Sequence, residues 1–485
     1  MERDILHQLD AWKASPHRKP LMLKGARQVG KTWALREFGR TRYRNCVYVT
    51  LEDVAPGVPS EYAQLFEVSH DPRRIVASLA LATGQPIDPG ETLLILDEIQ
   101  DCPAAIGALK YFYEEAPEYH VACAGSLLGV RLARDRGSFP VGKVEFMDMR
   151  PLTFSEFLRA VGSGNLGAYV RQIETLEPLP DLFANQLEER LRQYFSTGGM
   201  PEAVLRWAEL MDMGAVDKVL SDLLDSYERD FAKHGGATLF AKLSFVWHSL
   251  PAQLARENKK FVWGLVRDGA RAREYEDAVE WLADAGLVLR VRQNSGGGLP
   301  LSAYDSASAF KVYCMDVGLL RRLSRLDSSA FSLPDGLFAE FKGAFAENYA
   351  LQALTPQLDA APRYWTNEKP RHEVGLLVQL GNTIVPVEVK SGTSVDSPSL
   401  RYYARKHTDA TPLRVRLSMR NLSMDGDLLN IPLYLADRAV SLMERALAEG
   451  RVTAHRALTS LWPRGDMAQC AGHREAICQE ASADQ

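Results

Sequence analysis

Leu21-Met22-Leu23-Lys24, then GARQVGKT (25–32), then Trp33-Ala34-Leu35-Arg36-Glu37-Phe38 is the stretch from which the rest of the chain is read. The apolar run before Lys24 reads as a strand and residues 33–38 read as a helix, so the order is strand, glycine-rich turn, helix. Gly25, Ala26, Arg27, Gln28, Val29, Gly30, Lys31 and Thr32 fit G-x-x-x-x-G-K-[ST] at every position. Glycines let such a loop fold around a phosphate with its backbone N–H groups turned inward. The helix that follows points its positive end at the anion. Lys31 is expected to reach the terminal phosphates of ATP, and the Thr32 hydroxyl to ligate Mg²⁺.

Further along, Leu93-Leu94-Ile95-Leu96-Asp97-Glu98 is an apolar strand ending in two acids. Unpaired buried carboxylates are costly, so the pair reads as a site. Asp97 would hold Mg²⁺ and Glu98 would polarise the attacking water. Ser126, closing the run HVACAGS (120–126), is a candidate contact for the γ-phosphate or that water, and equally a helix cap. A cation for the developing charge is also expected, and Arg131, Arg134, Arg136 and Lys143 all lie close by in sequence.

Strands at 46–52, 93–98 and 120–126 alternate with a helix at 104–115, which predicts crossover units and a parallel sheet. The fold class expected is α/β: a P-loop (AAA-like) unit over 1–150, a helical lid-like unit over 151–235, a winged-helix-like unit over 236–330, a further α/β unit over 335–445, and a flexible tail over 446–485. The winged helix rests on short helices feeding a strand at 286–291 and the turn NSGGG at 294–298. In the last α/β unit, helix 341–354, strands 373–378 and 384–390 and helix 397–407 are expected.

The whole chain has 485 residues and a net charge of −5, from 57 Lys+Arg against 62 Asp+Glu. That excludes a chain basic throughout, though not a local basic face. No run of about 18 apolar residues exists, so no membrane span is expected. The six cysteines are scattered without metal spacing, Cys46 and Cys123 reading as buried thiols, and the expected location is cytoplasmic. Residues 256–273 (RENKKFVWGLVRDGARAR) carry six basic residues against two acids, with Phe261 and Trp263 between them. This is a candidate DNA-binding face, with a solvated or interdomain surface as the plainer reading.

GARQVGKT, LLILDEIQDCP, AGSLLG, SFPVGKVEFMDMRPLTFSEFL, YFSTGGMPEAV and the SYERDF run at 226–231 together resemble a widespread group of prokaryotic AAA-type ATPases. So do FKVYCMDVGLL (310–320), FKGAFAENY (341–349) and VPVEVKSG (385–392), over about residues 1–440. The resemblance implies the phosphate loop at 25–32, the second motif at Asp97 and Glu98, and Ser126 as a polar sensor. It also implies a restriction-endonuclease-like core in the C-terminal unit.

That core bears on Pro386-Val387-Glu388-Val389-Lys390, where Glu388 and Lys390 share one strand face. The two form half of a metal-dependent nuclease site, to which Glu347 on the preceding helix would add a carboxylate. Gly375 stands where the resembled family usually has Asp, and Glu373, two residues away on the same face, is a partial substitute. A structural pair on a degenerate core is the plainer reading. The expected function is a slow Mg²⁺-dependent ATPase whose hydrolysis reorients its C-terminal parts, with a regulatory or DNA-associated role. The alternatives are an ATP-controlled DNA-processing nuclease and a non-hydrolysing ATP-sensing module for a protein partner.

Overall fold

The computed structural model describes residues 1–461 apart from 56–57, 127–128, 131–138, 257–258, 333–338, 369–370, 393–395 and 409–410. The first unit is built on five parallel strands: β1 (Leu21–Lys24), β2 (Asn45–Thr50), β3 (Thr92–Asp97), β4 (His120–Ala124) and β5 (Glu145–Asp148). Their order is β2-β3-β4-β1-β5. All six residues of β3 are buried, because both faces of the sheet are covered. Leu93 and Ile95 enter one hydrophobic core, and Leu94 and Leu96 the other. Lys24, Asp97 and Ala124 end β1, β3 and β4, so one edge of the sheet gathers the three motifs, as open parallel sheets do for phosphate ligands.

The middle of the chain is helical. Thr153 caps the helix Phe154–Ala160 reciprocally with Glu156, and Pro201 starts the helix Pro201–Leu210. A boundary was expected at 235, with short helices beyond it. Instead one helix of 42 residues runs from Met213 to Leu254. Two interior glycines, Gly235 and Gly236, cost about 1 kcal/mol each. The faces on either side outweigh that cost: Leu220, Tyr227 and Phe231 before the glycines, and Leu243, Trp247 and Leu250 after them, enter a single core.

Eight strands make the second sheet: β6 (Val288–Asn294), β7 (Asp305–Cys314), β8 (Arg363–Glu368), β9 (Arg371–Leu380), β10 (Thr383–Val389), β11 (Arg414–Ser418), β12 (Ser423–Asp425) and β13 (Leu428–Pro432). The order is β12-β13-β11-β10-β9-β8-β6-β7. This corrects the winged helix. The hairpin β6–β7 is no free-standing wing, because β6 also pairs in parallel with β8, Arg292 facing Arg363. The expected division near 330–335 therefore falls between strands of one sheet. Helices Ala339–Leu354 and Pro398–Lys406 and strands β9 and β10 lie where the periodicity put them. The helix Ala439–Leu461 runs into the segment expected as a tail, and residues 462–485 lie outside the described residues. No helix among the described residues is long and apolar enough to cross a membrane.

Candidate functional site

The loop between β1 and the helix Lys31–Arg42 turns on backbone that side chains disfavour. Gly25 has φ +147, Gly30 φ +96 and Gln28 φ +63. A Cβ at Gly25 would stand 2.1 Å from the Met149 carbonyl oxygen, so only glycine lets the loop pass so close to the end of β5. Lys31, 7% exposed, turns its ammonium back to donate to the Gly25 and Ala26 carbonyls, each at 2.8 Å. Burial pulls its pKa down to about 8, against the raising fields of Glu98 and Asp97.

Thr32 Oγ1 donates to Asp97 Oδ2 at 2.7 Å, and the Tyr48 hydroxyl on β2 donates to the same oxygen at 2.9 Å. The loop's hydroxyl and the acid ending β3 thus converge on one point. These are hard oxygen donors, the kind Mg²⁺ takes when it keeps waters and substrate phosphates as its other ligands. The Thr32–Asp97 pair fits that demand. Glu98 sits at φ +49, an uncommon conformation for a non-glycine residue. Its carboxylate accepts from the Ser126 hydroxyl at 3.1 Å, from the Ser126 N–H at 3.3 Å, and from the Gln100 amide. Ser126 therefore holds Glu98, a role different from a direct phosphate contact.

Sequence spacing did not flag the partners that pin this loop from elsewhere. Arg27 pairs with Asp230, and the Tyr227 hydroxyl donates to the Arg27 carbonyl at 3.0 Å, both from the long helix. Arg3 donates to the Val29 carbonyl at 2.9 Å and to Glu156 at 3.0 Å. Among the candidate cations, Lys143 pairs with Glu114 at 2.9 Å before the start of β5, at the amino edge of the sheet, away from the phosphate loop. Arg131, Arg134 and Arg136 lie outside the described residues.

In the C-terminal unit the carboxylates are already neutralised. Glu347 pairs with Lys259, with Lys311 at 3.4 Å and with the Tyr313 hydroxyl. Lys311, 0% exposed, also reaches Glu373 at 2.5 Å. Burial alone would push Glu347 up, but Lys259 and Lys311 outweigh it and hold the carboxyl near about 2. Burial would likewise lower Lys311, and the two glutamates keep it raised instead. Glu388 pairs with Lys390 at 2.8 Å. Among the described residues no three His, Cys, Asp or Glu side chains group so as to hold a metal. Of the expected cage, Glu347 and Glu373 are thus bridged by the Lys311 ammonium, while Glu388 pairs with Lys390.

The same contacts revise the basic stretch 256–273. Lys259 turns inward to Glu347, and Phe261 is buried against Phe310 and Trp263. Arg256, Arg267, Arg271 and Arg273 stay exposed.

With this geometry in view, comparison with known proteins divides the chain in three. Residues 17–158 match the AAA domain family. This part of the chain is similar to an AAA domain. Residues 188–330 match a domain of unknown function (DUF8612), and residues 342–434 another (DUF4143). No curated protein matches the chain. Solved structures that resemble it include the Walker-type ATPase PABY2304 of Pyrococcus abyssi, 15% identical, covering 67% of this chain and 95% of that one, with a TM-score of 0.40. The Aeropyrum pernix ORC2 protein in its ADPNP-ADP complexes is 12% identical, covering 67% and 94%, with a TM-score of 0.33. The Thermotoga maritima RuvB Holliday junction branch migration motor is 12% identical, covering 67% and 96%, with a TM-score of 0.30.

Proposed function

We propose that the chain is a slow Mg²⁺-dependent ATPase whose nucleotide state is passed to its C-terminal units. The observation that carries this reading is the hydrogen bond from Thr32 to Asp97 at 2.7 Å beside a loop folded for phosphate. Gly25, Ala26, Arg27, Gln28, Val29, Gly30, Lys31 and Thr32 would cradle the triphosphate. The Lys31 ammonium would leave the two loop carbonyls for the terminal phosphates, which are better partners because they carry full charge. Mg²⁺, when bound, would neutralise charge on the β- and γ-oxygens. Thr32 and Asp97 are the residues placed to hold it. Glu98 would take up and orient the attacking water, with Ser126 and Gln100 fixing the carboxylate's direction.

The link to the rest of the chain would run through the long helix. Tyr227 and Asp230 grip Arg27 in the loop, while Asp217 and Ser221 on the same helix bind Arg321 and Arg322 of the helix Val317–Leu323. A location in the cytoplasm fits this reading. The alternative of an ATP-controlled nuclease is disfavoured by Lys259 and Lys311, which take the acids a metal would need.

The test is nucleotide binding followed by turnover. At 100 times its dissociation constant, ATP–Mg²⁺ stabilises a protein that binds it by about 2.7 kcal/mol. The wild type is expected to show the corresponding melting shift and Lys31→Ala to lose most of it. Equal shifts would sink the assignment of the loop. Shifts without turnover would favour the non-hydrolysing module.

A further inference from the structure

Behind the phosphate loop lies a cavity of about 640 Å³, walled by the first sheet on one side and by the C-terminal unit on the other. That size falls within the range of small-molecule sites. Lys24, Gly25, Ala26 and Ser126 form its near wall, whereas Lys31, Thr32, Asp97 and Glu98 do not line it. The cavity thus shares Gly25 and Ala26 with the proposed triphosphate cradle but not its charged residues.

Arg150 sits in this wall, directly after the residue whose carbonyl abuts Gly25. Its guanidinium makes no hydrogen bond or ion pair among the described residues. Burial pulls its pKa below the ordinary arginine value, and the carboxylate whose field reaches it, Asp148, is itself paired with Lys24 at 3.5 Å. Arg150 is half-buried, so its guanidinium faces the cavity with no protein partner among the described residues. The other arginine beside it, Arg3, is committed to Glu156 and two backbone carbonyls.

We propose that this cavity is a second ligand site, for a small molecule carrying a phosphate or carboxylate group that Arg150 seats. A guanidinium offers a planar fork of donors matched to a two-oxygen anion. Because Gly25 and Ala26 wall both spaces, an occupant bears directly on the phosphate loop. The site would be that of an effector, whose effect on nucleotide affinity must be reciprocal. The proposal stands apart from the ATPase reading, since it needs no residue of the cradle's charged set.

The experiment uses the full-length protein in a Lys31→Ala background, which separates the cavity from the cradle. Inorganic phosphate is titrated in one arm and acetate in the other, by calorimetry and by melting. Saturable binding of at least one anion is expected, weakened at least tenfold by adding Arg150→Gln and less by adding Arg150→Lys. Preference between the arms identifies the phosphate or the carboxylate class. Ligand-free melting of the Arg150 variants is expected not to fall, because no internal bond is lost. Anion binding equal with and without Arg150→Gln, or absent in both arms, overturns the proposal. So does loss of ATP binding by Arg150→Gln alone, which would place Arg150 in the nucleotide cradle. If Lys31→Ala leaves ATP binding intact, the cradle assignment fails and the cavity is judged on its own titrations.

Discussion

Two lysine and carboxylate clusters sit at opposite ends of this chain, and they differ in what the lysine touches. In the phosphate loop Lys31 is buried with only backbone carbonyls as hydrogen-bond partners, and its pKa falls to about 8. In the C-terminal unit Lys311 is buried between Glu347 and Glu373, and its pKa rises. The opposite shifts of these two buried lysines follow from their different partners. A buried cation with no carboxylate in hydrogen-bond contact is poised for an anion from outside. A cation buried between two carboxylates has its counter-charges already and acts as structural cement. The lesson is that paired acids near a lysine do not make a site until the partner of each charge is known.

The largest effect that would break the comparison belongs to Glu98. Glu98→Gln keeps the hydrogen-bond reach to Ser126 but removes the charge that orients water. We expect ATP binding, read as the melting shift, to persist and turnover to fall by ~10²–10⁴, the range for a general base. Unchanged turnover would remove Glu98 from the chemistry. A lost melting shift would make it structural.

The same substitution in both clusters sharpens the contrast. Lys311→Met leaves Glu347 with one ammonium and Glu373 with none, and breaking a buried pair costs about 3–5 kcal/mol. The lower end is expected, since Glu373 is 29% exposed in its side chain. Lys31→Met removes a desolvated charge that no carboxylate holds, and the apo protein should become more stable by ~1 kcal/mol. Chemical denaturation of the two variants measures both. Equal destabilisation would mean the lysines are alike. Lys259→Glu belongs with Lys311→Met: it should lower stability and leave any salt dependence of DNA binding unchanged, because Lys259 faces Glu347.

Much of the first cluster was legible and little of the second, for a physical reason. A phosphate is embraced by backbone, so its chemistry fixes residue types within eight consecutive positions, Gly25 to Thr32. The second motif was legible because two acids closing an apolar strand are costly without a task. The clasp by Tyr227, Asp230 and Arg3 was not, because those residues reach the loop from distant segments and carry no spacing signal. Nor does Lys259 show in sequence that it points inward, so it read as part of a basic face. The helix through Gly235 and Gly236 was hidden because local propensity favoured a break that tertiary packing overrides.

A smaller effect concerns pH. The folded pKa of Lys31 lies below its ordinary 10.5, at about 8, so the folded state disfavours the charged form. Its penalty is present below pH 8 and is relieved as pH rises from about 8 towards 10.5. Phosphate binding needs the charged form, so ATP affinity should run the other way. Between pH 7 and pH 9 the ATP-induced melting shift is expected to shrink in the wild type. Lys31→Arg, which stays charged, should show a flat profile if it still binds. A flat wild-type profile would remove Lys31 from phosphate contact.

The smallest expected effect is at Gly375, where resemblance called for an aspartate. A Cβ added there would stand 3.8 Å from Glu347 Oε1 and 3.9 Å from the Val387 carbonyl oxygen, ordinary contact distances. Its φ is not in the positive range that excludes side chains. The strand thus has room for Asp, beside the acid a nuclease would use. Loss of glycine flexibility favours the variant, and the weak strand preference of Asp opposes it. A further carboxylate near Glu347 is repelled by that acid and attracted by the lysines that hold it. We expect Gly375→Asp to change stability by less than about 1 kcal/mol. Neither it nor the wild type should cut plasmid DNA with Mg²⁺ or Mn²⁺, because Lys259 and Lys311 hold the acids a metal would need. Combining Gly375→Asp with Lys311→Met frees Glu373 and part of Glu347, and is the variant in which a metal cage has most room to form. Cutting by that double variant alone would show that the lysines, more than the missing aspartate, keep the core silent. Cutting by the wild type, abolished by Lys390→Ala, would overturn the comparison and make the second cluster a site after all.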